Sequence, residues 1–244
     1  MTTFINDFKY VFQMQFNRYS GFLSFYVFVQ IIISLGIVIG FTYLIGDSNA
    51  NELLYLATGA PTFVLVITGL VLLPQQIASS KTEGYIEFIR TWPVNRGVVM
   101  VADTVIWLLI AIPGIVISSL CAHFMFHPGY DVSWTIIPAI ILIALASIGV
   151  GYGLSYALPP QISMALTNVL AFGALMFSPI NFPMERLPEW LQTLHTILPL
   201  FSMAEIMRES MAASTFTADL GNYINLTIWG VVGFIGAIFI LNKK

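Results

Sequence analysis

The sequence predicts an all-α membrane protein with six transmembrane helices, and three observations carry that reading. Of its 244 residues, 58% are hydrophobic and 9% are charged, where a soluble domain carries about 25% charged residues. Mean hydropathy is +0.87. Six apolar runs, at about 22–45, 54–77, 98–122, 134–157, 162–180 and 222–241, approach or exceed the roughly 20 residues a helix needs to cross the hydrocarbon core. The runs are continuous rather than alternating, which favours helices over the strands of a membrane barrel. Pro61, Pro74, Pro113 and Pro138 fall in or at the ends of these runs, and membrane helices tolerate such breaks where neighbours satisfy the freed backbone groups.

Composition also excludes. A net charge of −3 gives no basis for nucleic-acid binding, which needs concentrated Lys and Arg. A single cysteine, Cys121, rules out an internal disulfide framework and a Cys-based zinc site. Met1–Ser20 mixes charge with aromatics and reads as no cleavable signal. The whole chain, 1–244, reads as one transmembrane domain.

The elements follow in order. Over residues 1–20, Phe4, Phe8, Val11, Phe12 and Tyr19 fall near helical spacing, with Asn6, Lys9, Gln13 and Asn17 opposite. That pattern predicts an amphipathic helix lying in the membrane interface. Lys9, Arg18, Lys81, Arg90, Arg96, Lys243 and Lys244 fall on one side of the six spans, seven of the nine basic residues. Arg186 and Arg208 fall on the other, among Asp47, Glu52, Asp131, Glu185, Glu189, Glu205, Glu209 and Asp219. The asymmetry places both termini in the cytoplasm.

Between the second and third spans, residues 79–97 hold a charged stretch, KTEGYIEFIRTWPVNRG from Lys81 to Gly97. As a helix over 82–92, it would set Tyr85, Phe88, Ile89 and Trp92 on one face and Glu83, Glu87 and Arg90 elsewhere. Pro93 ends it, and Asn95-Arg96-Gly97 turns the chain back. Such a helix either docks in a partner's groove or serves only as a positive-inside anchor.

Between the fifth and sixth spans, residues 181–212 read as short re-entrant helices outside the cell. Pro188 suits the first turn of one, with Trp190, Leu191, Leu194, Ile197 and Leu198 as its apolar face. Pro199 stops it, and Ser202 with Glu205 forms a capping-box pattern opening a second. Each is too short to cross, so the pair dips into the outer leaflet or roofs the spans.

Other residues carry weaker readings. Asp103 lies inside the third span, where an ionisable group is a functional candidate. Either it pairs with Arg96, seven residues earlier, or it serves a gate or a link to the amino-terminal helix. His123 and His127 have an i, i+4 spacing but lack a clear third ligand, so they read as interfacial packing rather than a metal site. Gly36-x-x-x-Gly40 and Gly149-x-x-x-Gly153 suit close helix crossings, one of them a candidate dimer seam. Gly230, Gly233 and Gly236 suit close packing of the sixth span. No nucleophile motif or paired aspartate suggests an intramembrane hydrolase.

The run from Lys81 to Arg96, K-T-E-G-x-I-E-F-I-R-T-x-P-V-N-R, resembles the cytoplasmic loop of ABC-2 type transporter permeases. So does S-P-I-x-F-P-x-E-x-L-P-x-W-L-Q at Ser178–Gln192, with Leu198-Pro199 and Arg208 beyond it, in the region between their fifth and sixth spans. The similarity covers essentially the whole chain. It implies a coupling helix that seats in a separate ATP-binding subunit, with Lys81, Glu83, Gly84, Tyr85, Glu87, Phe88, Arg90, Pro93 and Arg96 at the contact. It further implies an extracellular gate or re-entrant region containing Pro179, Phe182, Pro183, Glu185, Leu187, Pro188, Trp190, Pro199 and Arg208. Two copies of the permease, as a homodimer, would work with two ATP-binding subunits, which bind the ATP and Mg. This chain has no G-x-x-x-x-G-K-[ST] and no lysine between Lys81 and Lys243, so no P-loop exists in it and hydrolysis falls to another chain.

The sequence-level conclusion is a bacterial plasma-membrane exporter of a drug, antibiotic or small amphipathic peptide, with a lipid or lipid-linked glycan as the alternative cargo. A self-sufficient secondary transporter predicts charged groups at mid-membrane and matched broken helices; a scaffold that binds some other partner is the third reading.

Overall fold

A computed structural model describes residues 2–45 and 50–242. Lys243, Lys244 and Asp47, used above for sidedness, lie outside the described residues. The fold is all-α, and six helices are long and apolar enough to cross a membrane. Among the described residues the only β-type pairing is one isolated bridge between Asp131 and Ala212.

The first helix, α1, runs from Thr2 to Ile45. The expected interfacial helix and first span are therefore one rod, about 66 Å long at 1.5 Å per residue. No proline interrupts it, and Ser20 Oγ donates to the Asn17 carbonyl at 2.7 Å within the helix. Its early turns lie on protein rather than lipid alone: Val11 is buried with Ile89, Val98, Val99 and Ala102, and Phe8 and Phe12 pack on that cluster.

The second span is built from α2 (Ala50–Ile67), a π-helical turn (Thr68–Leu72) and α3 (Leu73–Thr82). Pro74 explains the wide turn, because it lacks an N–H and its ring crowds the preceding turn. The Leu73 N–H reaches the Thr68 carbonyl instead. A six-residue helix, α4 (Tyr85–Arg90), follows. Then come α5 (Arg96–Phe126), α6 (Ile136–Ala157) and α7 (Pro160–Phe177). A 3-10 turn (Met184–Arg186) leads into α8 (Glu189–Ile197) and α9 (Pro199–Met211), and α10 (Leu220–Asn242) is the last span.

Lipid is as apolar as leucine, so close packing rather than hydrophobicity holds the spans together. Small residues make that packing around α6. A methyl group on Gly151 would overlap the Gly69 carbonyl oxygen of the π turn, and one on Gly233 would overlap the Gly149 backbone. The Gly149-x-x-x-Gly153 motif thus seats α10 inside the subunit and is not free to form a seam between copies. A methyl on Gly36 would meet nothing within 4 Å among the described residues. Burial separates inner from outer spans: 94% of the most apolar window of the second span is buried, against 22% for α1 and 17% for α7.

Candidate functional site

The charged stretch forms a two-cornered loop rather than a helix over 82–92. α3 carries on through Thr82, Glu83 caps it, and Gly84 takes φ +74 to turn the chain. That left-handed conformation costs a residue with a Cβ about 1–2 kcal/mol, so glycine belongs there. The late start resets the helix's faces. Ile86 and Ile89 are buried, while Phe88 is 54% exposed and stands outward with Glu83, Gly84, Glu87, Arg90 and Pro93. The anticipated Tyr85, Phe88, Ile89, Trp92 face is therefore split: Tyr85, Ile89 and Trp92 pack inward with Val98 and Val99.

Two basic residues brace this loop from within. Arg96 donates to the carbonyls of Ile89 (2.9 Å), Arg90 (2.6 Å), Trp92 (3.3 Å) and Val94 (3.3 Å). Those of Arg90, Trp92 and Val94 lie at or beyond the end of α4, where carbonyls lack helical donors, while the Ile89 carbonyl also accepts from the Trp92 N–H at 3.0 Å. Lys81 points to the end of α6, donating to Ser155 O at 2.6 Å, Leu158 O at 2.9 Å and Tyr156 O at 3.2 Å. The second corner closes with Asn95 Oδ1 accepting from the Gly97 N–H at 2.8 Å as α5 begins. Lys81 and Arg96 are thus framework, and the outward groups make the surface.

Tyr85 reaches α1, donating to Gln15 Oε1 at 2.9 Å. Its burial pushes the phenol up to about 12. Asp103 sits below the loop, 7% exposed, beside the phenols of Tyr19 and Tyr152. Arg96 and Asp103 are not brought together as an ion pair: Arg96 spends its donors on the four carbonyls, and among the described residues Asp103 makes no salt bridge.

At the other end, α8 and α9 differ sharply. Trp190, Leu194 and Ile197 on α8 are exposed, with only Leu191 and His195 buried. α9 is sunk against α2, α6 and α10, with Met203, Ile206 and Met207 fully buried. Pro199 opens α9 as well as ending α8, since its fixed φ suits the first helical position. Ser202 is therefore inside α9 rather than capping it, and its Oγ donates to Asn222 Oδ1 at 3.1 Å.

Arg208 holds this region. It is 1% exposed, donates to the carbonyls of Pro179 (2.6 Å) and Ile180 (2.7 Å), and pairs with Glu205. Its guanidinium lies 4.3 Å from the centroid of the Tyr55 ring. Pro179 and Pro199 are buried, Phe182, Pro183 and Leu187 half-buried, and Glu185, Pro188 and Trp190 exposed. An Arg186–Glu52 ion pair ties the 3-10 turn to the start of α2. The sequence offered no signal for Tyr55, Gln15 or Arg18 as parts of either site, because their partners lie more than 60 residues away in the chain.

His123 stacks on Tyr130, with ring centroids 6.2 Å apart, and among the described residues no three His, Cys, Asp or Glu side chains gather as a metal site.

Six long apolar helices, a braced loop at one end and a helical hairpin with one sunken arm at the other define a multi-pass membrane protein of the transporter class. The sequence model of the ABC-2 type transporter family matches residues 6–212. The chain belongs to that family, as a permease component of an ABC transporter that pairs with an ATP-binding subunit. Among curated proteins no match was found.

Proposed function

We propose that this chain is the transmembrane half of a bacterial exporter that moves a hydrophobic or amphipathic molecule out across the plasma membrane, with both termini inside. Two copies pair, and each presents α4 to a separate subunit that binds and hydrolyses ATP with Mg. The observation that carries the reading is the outward surface of Glu83, Gly84, Glu87, Phe88, Arg90 and Pro93, mounted on a loop braced from within by Lys81 and Arg96. A surface held this firmly transmits displacement to α3 and α5 rather than bending under it.

The nature of the cargo is read from the lateral groove between α1, α2 and α7. It is about 380 Å³ in volume and its lining includes Ile37, Phe63, Ile67, Ala171, Phe172 and Leu175. Nearer the α4 end, between α1, α3 and α7, lie neutral hydrogen-bonding groups: Tyr26 donates to Gln76 at 2.6 Å, and Gln75 to Thr167 at 3.3 Å. An apolar body with an uncharged polar end suits such a lining better than an ion does. Arg208 and the hairpin it anchors serve as the outer gate.

The test is co-purification with the partner ATPase, then reconstitution with a panel of lipophilic fluorescent dyes. Glu87→Lys and Gly84→Trp should leave membrane insertion intact and abolish coupling of ATP turnover to dye movement. Normal pumping by both variants would reduce residues 81–93 to an anchor and sink the reading.

A further inference from the structure

Arg18 belongs to α1, yet its side chain works at the end of the second span. Its guanidinium donates to Ser80 Oγ at 2.8 Å and to Glu83 Oε2 at 3.3 Å. The same group lies over the Tyr85 ring, 3.5 Å from the centroid. These partners bracket Gly84: the last turn of α3, its capping residue and the first residue of α4. Three residues before Arg18, Gln15 is 1% exposed and takes the Tyr85 hydroxyl. From this grip α1 continues unbroken into the first span.

The three contacts differ in weight. The Glu83 side chain is 56% exposed, and a solvated ion pair contributes little. The Ser80 bond and the stack on Tyr85 are more sheltered, with the Arg18 side chain 21% exposed, so they hold the corner. Only a planar fork does both at once; a lysine offers a point charge and no plane to stack.

We propose that Arg18 is a positioning residue for the coupling helix: it clasps the Gly84 corner to α1, so that displacement of α4 is passed to the first span as well as to the second and third. The proposal rests on residues 81–93 being the ATPase contact, and the test separates the two.

One arm uses the permease alone in nanodiscs and follows hydrogen exchange of the amides of residues 85–92. Arg18→Ala should speed exchange about tenfold, the loss expected of a charge-assisted bond. Arg18→Lys should fall between, and Glu83→Gln should stay near native. Unchanged exchange in Arg18→Ala overturns the clasp. The other arm uses the complex with its ATPase in a Cys121→Ala background, with a cysteine in place of Ile39, which is 38% exposed near the outer end of α1. Maleimide labelling is compared without nucleotide and with ATP plus vanadate. The Arg18-containing chain should show a nucleotide-dependent change in labelling, and Arg18→Ala should lose it while still retaining the ATPase and hydrolysing ATP. A change absent from the former, or kept by Arg18→Ala, overturns the transmission. Failure of the unaltered chain to retain any ATPase overturns the docking reading instead, and the exchange arm then decides the clasp by itself.

Discussion

The Lys81 ammonium group lies 2.6 Å from the carbonyl oxygen of Ser155. It joins the α4-proximal end of the second span to the end of the fourth, at a helix terminus whose carbonyls lack helical donors. Lys81→Met keeps the stem and removes the donors. It should lower the stability of the purified permease by about 1.5–3 kcal/mol, read as a lower midpoint of thermal unfolding in detergent. An unchanged midpoint would mean that water serves those carbonyls equally well.

Arg208 should be the costliest residue of the α8–α9 region to lose. Truncation to Ala strands the Pro179 and Ile180 carbonyls and leaves Glu205 without its partner. The expected loss is about 3–5 kcal/mol, with new proteolytic cleavage between residues 178 and 198. Glu205→Gln keeps an acceptor for the guanidinium and should cost clearly less. Equal effects from the two variants would contradict a keystone role for the arginine.

His195 predicts a pH dependence. Its Nε2 sits 2.8 Å from the Phe177 carbonyl, and among the described residues Nδ1 has no hydrogen-bond partner. Burial lowers the imidazole pKa below its ordinary 6.5. In acid the unfolded chain takes up a proton that the folded chain resists. Stability from this group is therefore level above about pH 6.5 and falls as the pH drops below it. The unfolding midpoint should decline between pH 7.5 and 5.5, and His195→Gln should flatten that decline. A slope unchanged in the variant would assign it to other groups.

Glycines of similar sequence context should behave oppositely. Gly233→Ala drives a methyl into the Gly149 backbone, whereas Gly36→Ala meets nothing within 4 Å among the described residues. The first should abolish monodisperse protein on size exclusion or cost several times the roughly 1 kcal/mol of an ordinary helix substitution. The second should leave the isolated subunit as stable as before, whatever it does to assembly.

The six spans were legible because hydrocarbon thickness imposes a length that no other fold requires. Family membership was legible from the Lys81–Arg96 and Ser178–Gln192 runs, and the match over residues 6–212 agrees. The faces of α4 were not. With only six residues in α4, periodicity cannot fix the phase, and the Gly84 corner shifted it. Nor did sequence separate Arg96 and Lys81, which brace the loop, from Arg90, which faces outward: all three are cations near a membrane surface, and only the tertiary position of backbone carbonyls distinguishes them. The join of α1 was missed for a related reason. An amphipathic segment followed by an apolar one suggests a bend between them, but nothing at Ser20-Gly21 enforces it, and Arg18 and Tyr19 are held in place by contacts remote in the chain.

The wide turn at Thr68–Leu72 fixes a phase relation along the second span. One additional residue in a helix advances everything after it by about 100° around the axis. Lys81 and Ser80 find Ser155 and Arg18 only because that offset has been inserted upstream. Relaxing Thr68–Leu72 to regular α-helix without changing its length would swing both side chains about a quarter-turn away from their partners, leaving an outwardly sound span whose α4-proximal end no longer meshes with the rest of the molecule.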